Sequence, residues 1–251
     1  MKSLLKTLDI IEAVAEAGGA GIHEISAMTG FPPSTIHRIV TTLVERHYLK
    51  QDKENKKYSL SFRFLELGTR AEQQFQINAI ARPHLERLVA ETKESANLAV
   101  KDGDNMVYLD QVQSDHSMLR LFTRPNARVP LYSTGVGKMF LSQMNESDLD
   151  KYLQRTRRIR HTPYTLITRE EIREELALIR AQGFSVDNEE MEEGVRCVAT
   201  LIFDHNGQPT AAVSISGAAI RITPDRVAPL GKLIKARASV ISGELGFNLT
   251  S

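Results

Sequence analysis

Between Pro33 and Val44 the polar residues Ser34, Thr35, His37, Arg38, Thr41 and Thr42 interleave with Ile36, Ile39, Val40, Leu43 and Val44 at helical spacing. One face of such a helix is apolar. The other offers hydroxyl, imidazole and guanidinium groups, which hydrogen-bond to base edges and phosphates. A plain solvated face usually carries Glu and Lys, and up to Thr42 this one has neither. The chemistry these residues fit is the reading of duplex DNA. Just beyond them, Arg46, Lys50, Lys53, Lys56 and Lys57 cluster around a polar stretch flanked by Tyr48-Leu49 and Tyr58-Ser59-Leu60. Cations on a hairpin suit phosphate contact, which adds affinity without sequence information. Alone, that charge run would be only a soluble loop.

The elements that would hold these groups are legible nearby. Ile22, Ile25 and Met28 give a short helix, Gly30 stands where a left-handed C-terminal residue is wanted, and Pro32-Pro33 stops one helix and starts the next. Helix, tight turn, second helix and cationic hairpin together make a winged helix-turn-helix, whose second helix enters the major groove.

A second constellation lies further on. Ser133-Thr134-Gly135-Val136-Gly137 precedes the apolar Met139-Phe140-Leu141. A capped helix start with small residues leaves backbone N–H groups open, a site for an anion. It suits a carboxylate rather than a nucleotide, because no GxxxxGK[ST] pattern is present. Glycines there for close packing are the plainer alternative. Cys197 among Val195, Val198 and Ala199 is either a small core residue or, with a histidine beside it, a nucleophile. No histidine is near it in sequence. Ser214 and Ser216 share parity on one strand, so both hydroxyls point the same way. The seven histidines are scattered without HxxxH or HExxH spacing, so no metal site is expected, and no cofactor loop is present.

Composition fits this division of labour. A chain of 251 residues is long enough for two domains, and a net charge of +1 restricts basicity to one region. The single cysteine rules out an intramolecular disulfide and fits a reducing cytoplasm. No run of apolar residues is long enough to span a membrane. Leu4, Leu5, Leu8, Ile11, Val14 and Ala15 mark an amphipathic N-terminal helix rather than a signal peptide. After the wing, Phe62–Phe75 reads as a linker helix and Asn78–Lys93 as another helix. Strands are expected at Ala96–Lys101, Met106–Val112, Arg120–Thr123, Phe184–Asp187, Val198–Asp204 and Thr210–Ser216. Helices are expected at Thr134–Gln143, Ser147–Gln154, Arg169–Gln182 and from Thr223-Pro224 to about Leu245. That pattern predicts an α+β chain with a DNA-binding unit over 1–61, a linker helix over 62–76 and a second domain over 77–251. Leu4, Leu5, Leu8 and Ile11, with Phe62, Phe64, Leu65 and Leu67, are more apolar side chains than so small a first unit can cover, which predicts a dimer, with pairing into a tetramer open.

The chain resembles the IclR family of bacterial transcriptional regulators over its whole length, through PSTIHRIVTTLVERHYL, KYSLSFRFLELG, PLYSTGVGK, EEMEEGVRCVA, FDHNGQP and AVSISG. The resemblance implies a winged helix-turn-helix, a linker helix and a GAF-like effector-binding domain, in a dimer or tetramer that binds double-stranded operator DNA and answers to a small metabolite. It is nearest to members that control sugar-acid use, so the implied effector is a small sugar or keto acid. The family's pocket positions fall here on Met118, Leu121, Val129, Gly135, Val136, Asp187, Val195, Cys197, Ser214 and Ser216. Two residues depart from the family pattern: Pro33 stands where lysine is frequent, and His47 where glycine precedes the wing tyrosine. Histidine tolerates the left-handed turn better than most residues. The competing expectation is a metabolic enzyme for small acids using Cys197 and Asp187.

Overall fold

The computed structural model describes residues 2–74, 76–115 and 125–247. They fall into two compact units, Met1–Phe75 and Gln76–Ser251.

The first unit runs α1 (Lys2–Glu16), α2 (Ile22–Thr29), α3 (Pro33–Glu45), β1 (Leu49–Gln51), β2 (Tyr58–Leu60) and α4 (Phe62–Gln74). The Glu24 carboxylate reaches back to the Gly21 N–H at 2.7 Å and starts α2. Gly30, at φ 71°, ends it, donating to the Ser26 carbonyl. Pro32 is extended, and Pro33 takes the first position of α3, where its missing N–H costs nothing. Ile36, Ile39, Val40 and Leu43 then bury one side of α3 against Ile10, Val14, Ile25, Leu49 and Tyr58. His47, at φ 61°, makes the turn into β1. The strands pair antiparallel with Leu49 opposite Leu60, and Ala20 adds two 2.9 Å bonds to Tyr58. At the hairpin tip Asp52 accepts from the Glu54 and Asn55 N–H groups at 2.8 and 3.0 Å. The winged helix-turn-helix is thus formed by the residues that announced it.

The second unit contains α5 (Gln76–Thr92), β3 (Ser95–Asp102), β4 (Asn105–Val112), β5 (Arg128–Pro130), α6 (Gly135–Ser142), α7 (Glu146–Arg155), α8 (Arg169–Gln182), β6 (Ser185–Asn188), β7 (Val195–Phe203), β8 (Pro209–Ala218) and α9 (Pro224–Glu244). Its strands form one antiparallel sheet in the order β5-β4-β3-β8-β7-β6. Leu98, Val198, Val213 and Ile215 bury one face among Leu85, Leu88, Ile234 and Ile241 of α5 and α9. Ala99, Met106, Tyr108, Leu201 and Ala212 bury the other among side chains of α6, α7 and α8, including Met139, Leu153 and Leu176. The architecture is α+β, in three layers. The strand Arg128–Pro130 escaped the sequence reading because three residues ending in proline carry no periodicity. The strand expected at Arg120–Thr123 lies outside the described residues.

Candidate functional site

On α3, Ser34, His37, Arg38, Thr41 and Thr42 are exposed and Thr35 is half-buried. The apolar stripe fixes this facing. The Thr41 hydroxyl donates to the His37 carbonyl at 2.8 Å and that of Thr42 to the Arg38 carbonyl at 3.1 Å. Their outward lone pairs are therefore acceptors, while Ser34, His37 and Arg38 supply donors. Arg38 and Thr42 border a groove shared with Ser3 and Thr7 of α1, two positions the sequence reading did not select.

The wing lysines are not equivalent. Lys53, Lys56 and Lys57 are all exposed, but Lys57 Nζ pairs with Glu24 Oε1 at 2.9 Å. The Gly21 N–H and then Lys57 hold the Glu24 carboxyl below its usual range. One carboxylate thus caps α2 and ties the wing to it.

In the second unit, cross-strand register builds a polar patch on the face beneath α6. Asp187 stands opposite Cys197, Cys197 opposite Ser216, and Ser216 opposite Ser95. In the next row Ser185 faces Ala199, Ala199 faces Ser214, Ser214 faces Asn97, and Asn97 faces Gln111. Ser95, Asn97, Asp187, Ser214 and Ser216 are all buried. Val195 shares the parity of Cys197. Val129 lies in the adjoining apolar cluster with Met106, Tyr108 and Val136. Met118 and Leu121 lie outside the described residues.

The start of α6 sits on this patch. Ser185 Oγ donates to the Gly135 carbonyl at 2.7 Å, and a Cβ on Gly135 would lie 3.3 Å from that of Ala199 and 3.6 Å from the Asp187 nitrogen. Thr134 Oγ1 caps the Gly137 N–H at 3.2 Å. The N–H groups of Gly135 and Val136, in the first turn, have no intrahelical acceptor. Gly135, Val136, Asp187, Cys197, Ser214 and Ser216 therefore converge on one region from four elements.

Behind the patch lies a charge cluster that the sequence did not reveal. Lys138, fully buried on α6, donates to Glu175 Oε1 at 3.0 Å and to the Val186 carbonyl at 2.6 Å, and pairs with Glu190. Burial opposes its charge, but Glu190 and Glu175 outweigh that and keep it protonated. Asp187 Oδ1 accepts from the Glu190 N–H at 2.8 Å. Burial first, then the Glu190 charge, pushes the Asp187 carboxyl up to about 7. Burial raises Glu190 as well, and Lys138 counteracts this. Burial and then Asp187 push the Cys197 thiol well up. Among the described residues no group of His, Cys, Asp or Glu is arranged to hold a metal ion, and no helix is long and apolar enough to cross a membrane.

Comparison with known proteins fits this geometry. The IclR helix-turn-helix domain matches residues 3–53, and the bacterial transcriptional regulator IclR C-terminal domain matches residues 69–243. The HTH-type transcriptional regulator KdgR of Dickeya chrysanthemi is 34% identical over 248 residues, covering 99% of this chain and 81% of that protein. The crystal structure of Thermotoga maritima IclR superposes with a TM-score of 0.78 at 33% identity, over 98% of this chain and 100% of that one. An IclR homologue from Microbacterium hydrocarbonoxydans, complexed with 4-hydroxybenzoate, shares the fold with a TM-score of 0.84 at 22% identity, over 97% of this chain and 98% of that one. With both domain models matched in order and relatives aligned end to end, the chain belongs to the IclR family of bacterial transcriptional regulators, with its DNA-binding helix-turn-helix at the N-terminus.

Proposed function

We propose that this regulator binds operator DNA through α3 and the wing, and that a small carboxylic acid in the second unit sets its affinity. The observation that carries the first half is the outward face of α3, free of carboxylates to Thr42, beside a wing with exposed Lys53 and Lys56. Ser34, Thr35, His37, Arg38, Thr41 and Thr42 are the base-reading and backbone contacts. Lys53, Lys56 and Lys57 supply phosphate affinity. The functional division is 1–61 for DNA, 62–76 for the linker helix and 77–251 for the effector.

For the second half, the buried polar patch under the α6 start supports a small acid held by Gly135, Val136, Asp187, Cys197, Ser214 and Ser216, with Val129 and Val195 on the apolar side. Met118 and Leu121 are assigned there by family position alone. Asp187, neutral below about pH 7, donates to an acid instead of repelling it. A sugar acid also gives its hydroxyls partners, and the kinship to KdgR supports that class. The fold neighbour complexed with 4-hydroxybenzoate makes an aromatic acid the competing class. The site is for binding, not catalysis: a nucleophilic cysteine needs a thiolate, and burial first, then the Asp187 charge, push the Cys197 thiol the other way. The active form is a homodimer or homotetramer.

Binding of DNA from upstream of the chain's own gene, followed by fluorescence anisotropy, tests the first half. Arg38→Ala should weaken specific binding by about 1–3 kcal/mol, the range of one good base contact. Wild-type affinity in that variant would show the helix assignment to be wrong. Calorimetry with sugar, keto and aromatic acids tests the second half, and tight binding of an aromatic acid alone would overturn the sugar-acid class.

A further inference from the structure

We propose that Asn97 is a specificity-determining residue of the effector site: by directing the Ser214 and Ser216 hydroxyl protons into it, Asn97 selects an ionised carboxylate over the neutral amide of the same acid. This rests on the small-acid reading and names the chemical form taken.

Asn97 is fully buried in β3. Its Nδ2 donates to Ser214 Oγ at 3.1 Å and to Ser216 Oγ at 3.0 Å, so both amide hydrogens are spent on the two serines. The amide is held this way round from behind. Gln111 Nε2 donates to Asn97 Oδ1 at 3.0 Å, and Gln113 Nε2 donates to Gln111 Oε1 at 3.2 Å. Donation therefore runs in one direction, from exposed Gln113 inward to the serines, and such a chain polarises each member.

A hydroxyl oxygen that already accepts has its own proton left to give. Ser216 stands opposite Cys197, whose sulfur is a weak acceptor that an arriving carboxylate displaces. Ser214 shares its face. The Gly135 and Val136 N–H groups at the helix start are donors too. A carboxylate brings about four acceptor sites and no donor, which complements this lining. A primary amide's two N–H groups would compete with Asn97 for the serine oxygens and face the helix-start N–H groups, and a buried unpaired donor is expensive. A polar network serving only to satisfy buried groups would stabilise the sheet without discriminating between the two ligands.

The test is calorimetry on the full chain with D-gluconate and pyruvate, each beside its primary amide, with thermal melting as the check of folding. Wild type should prefer each acid it binds by about a hundredfold, the extra worth of two hydrogen bonds whose acceptor is charged rather than neutral. Asn97→Asp reverses the donor direction, because its carboxylate accepts from the serines. The acid-to-amide ratio should then fall by about tenfold or more. Gln111→Glu, at a half-buried position that tolerates charge, cannot donate to Asn97 and lets the amide turn over, so the ratio should fall in the same direction even if Asn97→Asp does not fold. An unchanged ratio in the folded variants, or a wild type that takes amide and acid alike, overturns the proposal and leaves the small-acid reading standing. A wild type that binds no acid of a wider sugar, keto and aromatic panel overturns that reading, and this one with it.

Discussion

A buried carboxyl beside a second carboxyl keeps its charge only if a cation compensates it, and Lys138, paired with Glu190 and Glu175, offsets the burial of Asp187 only in part. The consequence is pH dependence. The groups facing Asp187 are Glu190, Lys138, Cys197 and Tyr108. Its folded pKa of about 7 lies above the ordinary 3.8, so its contribution to stability is full below the ordinary value and is lost as pH rises through the folded one. Asp187→Asn removes the ionisation and keeps an oxygen for the Glu190 N–H. Its melting temperature relative to wild type should therefore be higher at about pH 8 than at about pH 5, and a constant difference would place the proton elsewhere. At the wing, Lys56→Ala and Lys57→Ala should each reduce the salt slope of DNA binding by about one. Only Lys57→Ala should also speed amide exchange in the hairpin, because only Lys57 is tied to Glu24. The α3 face was legible because periodicity separates polar from apolar residues. Lys138, Glu190 and Asn97 were not: a lysine on a short helix, a glutamate in an acidic run and an asparagine in a strand gain their roles from burial, which only tertiary packing decides.

Helix α6 is where an element's placement makes a site. A Cβ on Gly137 would stand 2.3 Å from the Leu131 carbonyl oxygen, so this helix start can approach its neighbour only as glycine. Gly137→Ala should cost about 1–3 kcal/mol, the usual range for overpacking, and weaken acid binding by displacing the Gly135 and Val136 N–H groups. Denaturant melts and calorimetry would show both losses, and a neutral substitution would mean that the helix start is pliable. His47 offers the opposite case. It holds φ 61° between α3 and β1, and His47→Gly should stabilise the first unit by a few tenths to about 1 kcal/mol if the relief of that conformation exceeds the entropy glycine adds. Caps and turns were readable from single residues: Gly30 ends α2 where it was expected, and Thr168 and Gly183 bound the expected helix Arg169–Gln182. Strand β5 was not, since its place comes from pairing with β4 rather than from its own pattern.

At the scale of the molecule, the first unit leaves apolar surface bare. On α1, Leu4 and Leu5 are 65% and 57% exposed, and on α4, Phe62 and Leu65 are 79% and 65% exposed. Faces of this kind call for a partner, and a second copy of the same helices suits a regulator whose recognition helices must meet two half-sites roughly 34 Å apart. Leu5→Glu with Leu65→Glu should shift sedimentation towards monomer and weaken operator binding together, while leaving the α3 face unaltered. Wild type sedimenting as a stable monomer at micromolar concentration would remove the dimer. Coupling between the acid site and the DNA face is read by operator affinity with and without the bound acid, in wild type and in the Ser214→Ala, Ser216→Ala double variant. Wild type should change affinity by about fivefold or more, and the double variant should bind operator as the acid-free protein does, whatever the acid concentration. An acid that binds wild type tightly yet leaves its operator affinity unchanged would show that the two sites are not coupled.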